Sequence, residues 1–128
     1  MSYGAFLDAV RERGGYTADE ADAATRAVLA ALGTRLTPDA AGRLAEQMPE
    51  PLADPVNDAE AAARDWGVRR FIAQVAGLTG QDEEGARVAA HAVLSALAGY
   101  LGREERDLLL SRLPVEYAVL FGHPEPAR

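Results

Sequence analysis

Few residues in this chain belong to types that do chemistry, and they are widely spaced. The chain has no cysteine and two histidines, His91 and His123. A nucleophilic site needs a serine, cysteine or threonine beside a histidine that a third group orients. The apolar pattern predicts that His91 lies in mid-helix on the face opposite the core, and His123 lies in a proline-rich tail. We therefore assign no catalytic residue and expect no enzyme.

Three groups of neighbouring carboxylates occur, at residues 19–22, 82–84 and 104–105. Paired carboxylates serve some hydrolases, and several together bind hard metal ions. Each group falls in the predicted first turn of a helix, where negative charge interacts favourably with the helix dipole. The chain has no EF-hand, HExxH or Cys/His zinc spacing. The sequence thus predicts no metal site and no cofactor.

Trp66, Arg69 and Arg70 form the most function-like group in the sequence. Tryptophan and arginine are enriched in binding hot spots, so these three residues are a candidate partner surface. The alternative is that Trp66 packs over a junction between two repeats, with both arginines solvated.

The charge pattern disfavours nucleic acid as a partner. The net charge is -7, and all 13 basic residues are arginine. A basic stripe is the expected footprint of a nucleic-acid binder, and none is visible. Helix 103–113 contains three arginines, but acidic residues surround them, and we expect Arg103 to pair with Asp107. The absence of lysine also excludes Schiff-base chemistry and a Walker-type phosphate loop.

Nothing in the sequence predicts a membrane association. The N-terminus lacks the features of a signal peptide. The longest uncharged stretch, residues 88–101, is too short and too polar to span a bilayer. We expect a soluble cytoplasmic protein.

An internal duplication is the main organising feature. Residues 6–52 align without a gap with residues 71–117. The matched positions are nearly all apolar residues, glycine or proline. The repeated unit is therefore a folding unit, not a set of catalytic groups. Examples are Phe6 with Phe71, Val10 with Val75, Leu44 with Leu109 and Pro49 with Pro114.

Each repeat predicts three helices. The first helix spans residues 3–13, and the second begins after a capping box at Thr17 and Glu20 and runs to Leu32, with Gly33 as its C-cap. Thr37 and Pro38 start the third, which ends at Pro49. In the second repeat we predict helices at residues 67–77, 83–98 and 103–113, with Asp82 as the cap of the middle one.

The remaining segments are less regular. Pro51 and Pro55 predict an irregular chain at the start of the junction, followed by a capping box at residues 57–60 that starts a short helix through Ala63. Residues 115–121 are expected to form one more helical turn. Strand signals are weak throughout.

The predicted fold is all-α, with tandem three-helix repeats packed with pseudo-twofold symmetry into one helical bundle. The alanine-rich second helices are expected at its centre, because small side chains let helices approach closely. We predict a single domain over residues 1–128. It comprises repeat one at 3–52, a junction at 53–66, repeat two at 67–121 and a flexible tail at 122–128.

Several runs together resemble a known bacterial family, catalogued as domain of unknown function 2267. The likeness covers nearly the whole chain, including the duplication. It implies a small soluble all-helical protein and supplies no activity, cofactor or catalytic residue. The runs are residues 27–29, 35–37, 44–49, 92–94 and 111–114, with Phe71 and Val75 after the tryptophan-containing junction.

The leading hypothesis is a non-enzymatic protein-interaction or adaptor module, with another protein or a second copy of the chain as its partner. The repeated sequence encodes packing, whereas catalytic side chains are sparse. The alternative is a small-molecule or lipid binding module that uses a cleft between the repeats.

Overall fold

The computed structural model describes residues 2–59 and 66–122, and these residues are all-helical, as predicted. They form eight helices and no strand. The helices are α1 Tyr3–Gly14, α2 Ala18–Arg35, α3 Pro38–Glu46, α4 Glu50–Asp58, α5 Val68–Thr79, α6 Glu83–Tyr100, α7 Arg103–Ser111 and α8 Tyr117–Leu120.

The predicted caps begin the long helices. Thr17 Oγ1 accepts a hydrogen bond from the Glu20 backbone N–H at 3.2 Å, and the Glu20 carboxylate accepts one from the Thr17 N–H at 2.8 Å. In the second half, Asp82 Oδ1 accepts from the Gly85 N–H at 2.8 Å. These side chains satisfy backbone donors that a helix N-terminus otherwise leaves without partners.

The predicted end of α2 at Leu32 is wrong. The helix continues to Arg35, and Gly33 lies inside it instead of capping it. A Cβ atom added at Gly33 would lie 2.9 Å from the Val56 carbonyl oxygen and from the Ala59 Cβ. Glycine is needed here because α4 crosses α2 at this point. Helix α6, which aligns with α2 in sequence, also extends beyond its predicted end at Ala98 and ends at Tyr100.

The expectation of an irregular chain at Pro51 and Pro55 is also wrong, because α4 covers both residues. Pro51 occupies the first turn, where a missing N–H costs little. Pro55 lies in the interior, where it is buried beside Leu52 and Val56. This apolar face offsets the lost hydrogen bond.

The predicted capping box after α4 is not formed as expected. Asn57 lies in the last turn of α4, which ends at Asp58, and so it does not start a new helix. The rest of that expected helix, residues 60–63, and the expected tail beyond Gly122 lie outside the described residues.

Four long helices form the centre of the molecule. Both α1 and α5 pack against α2 and α6, and α2 packs against α6. Alanines fill the contacts between the second helices and their neighbours, whereas Phe6 and Phe71 are fully buried large side chains at equivalent positions. Tyr117 of α8 is also buried, and its ring meets Phe71 edge to face at 5.5 Å between centroids.

The shorter helices cover this bundle unequally. In the first half, α4 packs against both α2 and α3. In the second half, α8 packs against α6 and confirms the expected helical turn within residues 115–121. Among the described helices, not one combines the length and hydropathy that a membrane-spanning segment needs.

Candidate functional site

A narrow apolar cleft separates α3 from α7. Its walls are leucines from both halves of the chain, with Leu44 on one side and Leu101, Leu108 and Leu109 on the other. The volume of the cleft is only about 20 Å³. The cleft therefore accommodates the end of a side chain and no larger group. The remaining lining residues are Ala40, Arg43, Gln47, Glu105 and Arg112.

An ion pair bridges the two walls. The Arg43 Nε and Nη2 atoms donate to the two carboxylate oxygens of Glu105, at 3.1 and 3.0 Å. Both side chains keep access to solvent, and the hydrogen bonds to Glu105 raise the pKa of Arg43. A two-point contact of this kind adds geometric specificity to the pairing of α3 with α7. Gln47 and Arg112 add further polar groups to the lining.

Sequence reasoning missed this pair. It placed Glu105 among the first-turn acids of a helix and expected Arg103 to bond Asp107. Arg103 and Asp107 do not form an ion pair in the part of the chain that the structure describes. Arg43 and Glu105 are 62 positions apart, so only packing brings them together. The alignment of residues 6–52 with 71–117 gave one indication of the cleft, because it pairs Ala40, Leu44 and Gln47 with Glu105, Leu109 and Arg112, and all six line it.

The structure places Trp66 between the two halves, partly buried against the core. Its carbonyl oxygen accepts hydrogen bonds from Arg35 Nε and from the Tyr117 hydroxyl, both at 2.9 Å. Arg35 is only 9% exposed, and its guanidinium lies 5.8 Å from the centre of the Tyr117 ring. Burial raises the pKa of Tyr117 and so favours the hydroxyl as a donor.

Arg69 and Arg70 are exposed in the first turn of α5. The three candidate partner residues are therefore close in the chain but differ in setting. Trp66 contributes its backbone to a buried network, whereas the two arginines extend into solvent.

The other chemically capable side chains stay apart. His91 is exposed on α6, and His123 lies outside the described residues. Arg26 of α2 bonds Asp22 at 3.0 Å, while Arg87 of α6 bonds Glu83 at 3.1 Å. Within residues 2–59 and 66–122, no three acidic or histidine side chains are grouped so that they could hold a metal ion.

Comparison of the sequence with family models decides the family. Residues 3–120 match the model described as an uncharacterized conserved protein, DUF2267. The chain belongs to the DUF2267 family. The match spans α1 through α8 and confirms the resemblance that the sequence runs indicated. No curated protein matches the chain. The DUF2267 description names no activity, so functional inference rests on the sites themselves.

Proposed function

We propose that the chain is a non-enzymatic protein-interaction module that receives an apolar side chain of its partner in the α3–α7 cleft. The observation that supports this function is the cleft itself. Its walls are leucines, it opens to solvent, and polar groups lie beside it. Hot spots in protein interfaces are commonly side chains that insert into small, well-packed pockets. Polar groups around such a pocket match the usual anatomy of an interface.

The size of the cleft favours a side chain over a whole metabolite. Ligand pockets usually have volumes of about 300–1,000 Å³. The volume of the cleft is only about 20 Å³, far below that range. Leu108 is partly exposed at the cleft, so a partner side chain can reach it without unfolding of α7.

We further propose that the two halves are tandem three-helix repeats related by a pseudo-twofold axis. The helix lengths support this, because α1 and α5 have 12 residues each, α2 and α6 have 18, and α3 and α7 have 9. The cleft walls come from equivalent positions of the two repeats. A second copy of the chain is a candidate partner, because symmetric dimers are the commonest soluble oligomers.

The test compares two matched variants of the full chain. Leu108→Glu places a charge in the cleft, whereas Leu78→Glu changes an exposed leucine on α5, which is 51% exposed and away from the cleft. The expected result is that a partner captured by the wild-type chain is lost with the first variant and kept with the second. Equal capture by both variants would exclude the cleft as the binding site.

The surface of Trp66, Arg69 and Arg70 is tested in the same experiment. An Arg69→Gln, Arg70→Gln double variant removes two exposed charges and leaves the hydrogen bonds to the Trp66 carbonyl intact. If this variant loses the partner while Leu108→Glu keeps it, binding occurs at the start of α5 instead.

The alternative function is small-molecule or lipid binding, and the apolar lining of the cleft is the observation that favours it. A ligand would have to separate α7 from α3, and α7 buries only one of its residues, Leu109. A rise in melting temperature with an acyl-chain ligand, absent in Leu108→Glu, would support this function. If the wild-type chain captures no protein partner and its melting temperature rises with such a ligand, ligand binding replaces protein interaction as the proposed function.

A further inference from the structure

A second cavity, sharing no lining residue with the α3–α7 cleft, lies where α1, α6 and α7 meet the turn after α8. The volume of this cavity is about 440 Å³, and it is open to solvent. The residues that carry chemistry there are Arg13, His91, Ser95 and Arg106, and the remaining lining consists of Ala98, Gly99, Phe121 and Gly122.

The charge of this cavity is opposite to that of the chain. The chain carries a net charge of -7, yet the lining contains two arginines and a histidine and no carboxylate. Glu12 and Asp107, the acids adjacent in sequence to Arg13 and Arg106, do not line the cavity. Two other acids near its residues in sequence are bound to arginines elsewhere. Glu105, which precedes Arg106, is bound to Arg43, and Glu83 is bound to Arg87. Glu84 lines an adjoining hollow with Arg13 and His91, not this cavity.

Arg106 is held in place with a donor to spare. Its Nη1 atom donates to the Ala98 carbonyl at 3.2 Å, which fixes the guanidinium at the end of α6. Its Nε atom is buried and has no hydrogen-bond partner among the described residues. An arginine carries five N–H donors, and the bond to Ala98 uses one of them, so the guanidinium retains donors for an acceptor that enters the cavity.

The shape of the cavity leaves room for that acceptor. Gly99 faces open space, because a Cβ atom added there would meet no atom within 4 Å. Gly122 adopts a φ of 81°, a conformation that favours glycine. Both positions therefore present backbone without a side chain to fill the cavity.

We propose that this cavity binds the phosphate group of a small soluble metabolite. A phosphate dianion offers enough oxygens to accept from both guanidinium groups and the His91 ring, whereas the Ser95 hydroxyl already donates to the Ala92 carbonyl at 3.3 Å. Arginine suits such a ligand because its planar fork of donors matches phosphate geometry. This site is independent of the protein-interaction cleft and adds ligand binding to the proposed function.

The test is titration of the full chain with inorganic phosphate and with pyrophosphate, followed by NMR at constant ionic strength. The expected result is a saturable shift of the Arg106 Nε–H resonance and of the His91 ring resonances. Arg13→Gln and Arg106→Gln should each weaken binding by about tenfold or more, because each removes a charge-assisted hydrogen bond.

Two matched variants serve as controls. Arg11→Gln removes the same charge from α1, and Arg103→Gln removes it from α7, yet neither residue lines the cavity. Both should bind as the wild type does. Since Arg106 also supports the end of α6, Arg13→Gln keeps the test valid if Arg106→Gln does not fold. The absence of a saturable shift, or equal losses in the controls, would overturn the proposal.

Discussion

The helices α3 and α7 align in sequence and have equal length, yet they are anchored differently. α3 buries Ala40, Ala41, Leu44 and Ala45, and Thr37 caps it by accepting from the Ala40 N–H at 3.2 Å. α7 buries only Leu109, and its N-cap is Gly102, which has no side chain to accept a hydrogen bond.

The covering helices explain the difference. α4 has nine residues and packs on α3, whereas α8 has four and packs on α6. Gly33 admits α4 close to α2, and the equivalent residue in the second half is Ala98. The second half therefore holds α7 mainly through Leu109, the Glu105 ion pair and the Arg106 side chain. Two helices of equal length are thus anchored differently, α3 by four buried residues and α7 by one.

The largest expected effect comes from truncating the equivalent leucines. Leu44→Ala should lower the free energy of unfolding by roughly 3 kcal/mol and Leu109→Ala by about 2 kcal/mol, because a loosely held helix collapses into the space more easily. Urea denaturation of both variants measures the difference. A larger loss in Leu109→Ala would reverse the comparison of the two helices.

The crossing of α4 over α2 is tested next. Gly33→Ala should cost about 1–3 kcal/mol, because the added methyl group overpacks a contact with backbone atoms of Val56. Gly42→Ala is the matched control, since its added Cβ meets nothing within 4 Å. That variant should gain roughly 0.5–1 kcal/mol from reduced backbone freedom in the unfolded chain. Equal stability of the two variants would show that α4 does not need the glycine.

Hydrogen exchange addresses α7 directly. We expect its amide protons to exchange about tenfold faster than those of α3, because α7 opens locally with fewer buried contacts to break. Uniform protection across both helices would contradict the proposed difference.

The Arg43–Glu105 pair should have a smaller effect on global stability. Glu105→Gln removes the two-point contact, while Glu104→Gln removes an equal charge from the same turn without that contact. Because exposed ion pairs contribute little, we expect faster exchange in α7 and little change in the denaturation midpoint. If both variants behave alike, the ion pair does not hold α7.

The smallest effect concerns a tether present only in the first half. The Tyr3 hydroxyl donates to Asp22, and this hydrogen bond lowers the pKa of Asp22 below its ordinary value of 3.8. The equivalent residues in the second half, Val68 and Arg87, cannot form it. A lowered folded-state pKa stabilises the protein above the unfolded-state value, and the stabilisation is lost as the pH falls through the folded-state pKa.

Tyr3→Phe should therefore lower stability near neutral pH and make the loss in acid shallower. Denaturation midpoints from about pH 3 to 6 measure this. Tyr16→Phe is the control, because the Tyr16 hydroxyl is buried and has no hydrogen-bond partner within residues 2–59 and 66–122. If the pH dependence of the denaturation midpoint is the same in Tyr3→Phe as in the wild type, the Tyr3–Asp22 hydrogen bond does not stabilise the protein.

Features that depend on neighbours in the chain were predictable. The Thr17 capping box and the Asp82 cap follow from side chains that reach backbone groups three residues away. Periodicity placed Phe6, Val28 and their equivalents in the core. The errors at Gly33 and Pro55 share one cause, because both residues break helices in isolation and are tolerated here through the packing of α4 on α2.

By itself, the sequence determined the all-helical fold class of the described residues and where most of their helices begin, since both depend on local hydrogen bonds and apolar periodicity. It also determined the family, because residues 3–120 match the family model. Only the tertiary structure decided which distant side chains meet. It joined Arg43 to Glu105, directed Arg35 and Tyr117 to the Trp66 carbonyl, and brought Arg13, His91 and Arg106 around one cavity. Such contacts depend on the angles at which helices pack, and no local pattern specifies those angles.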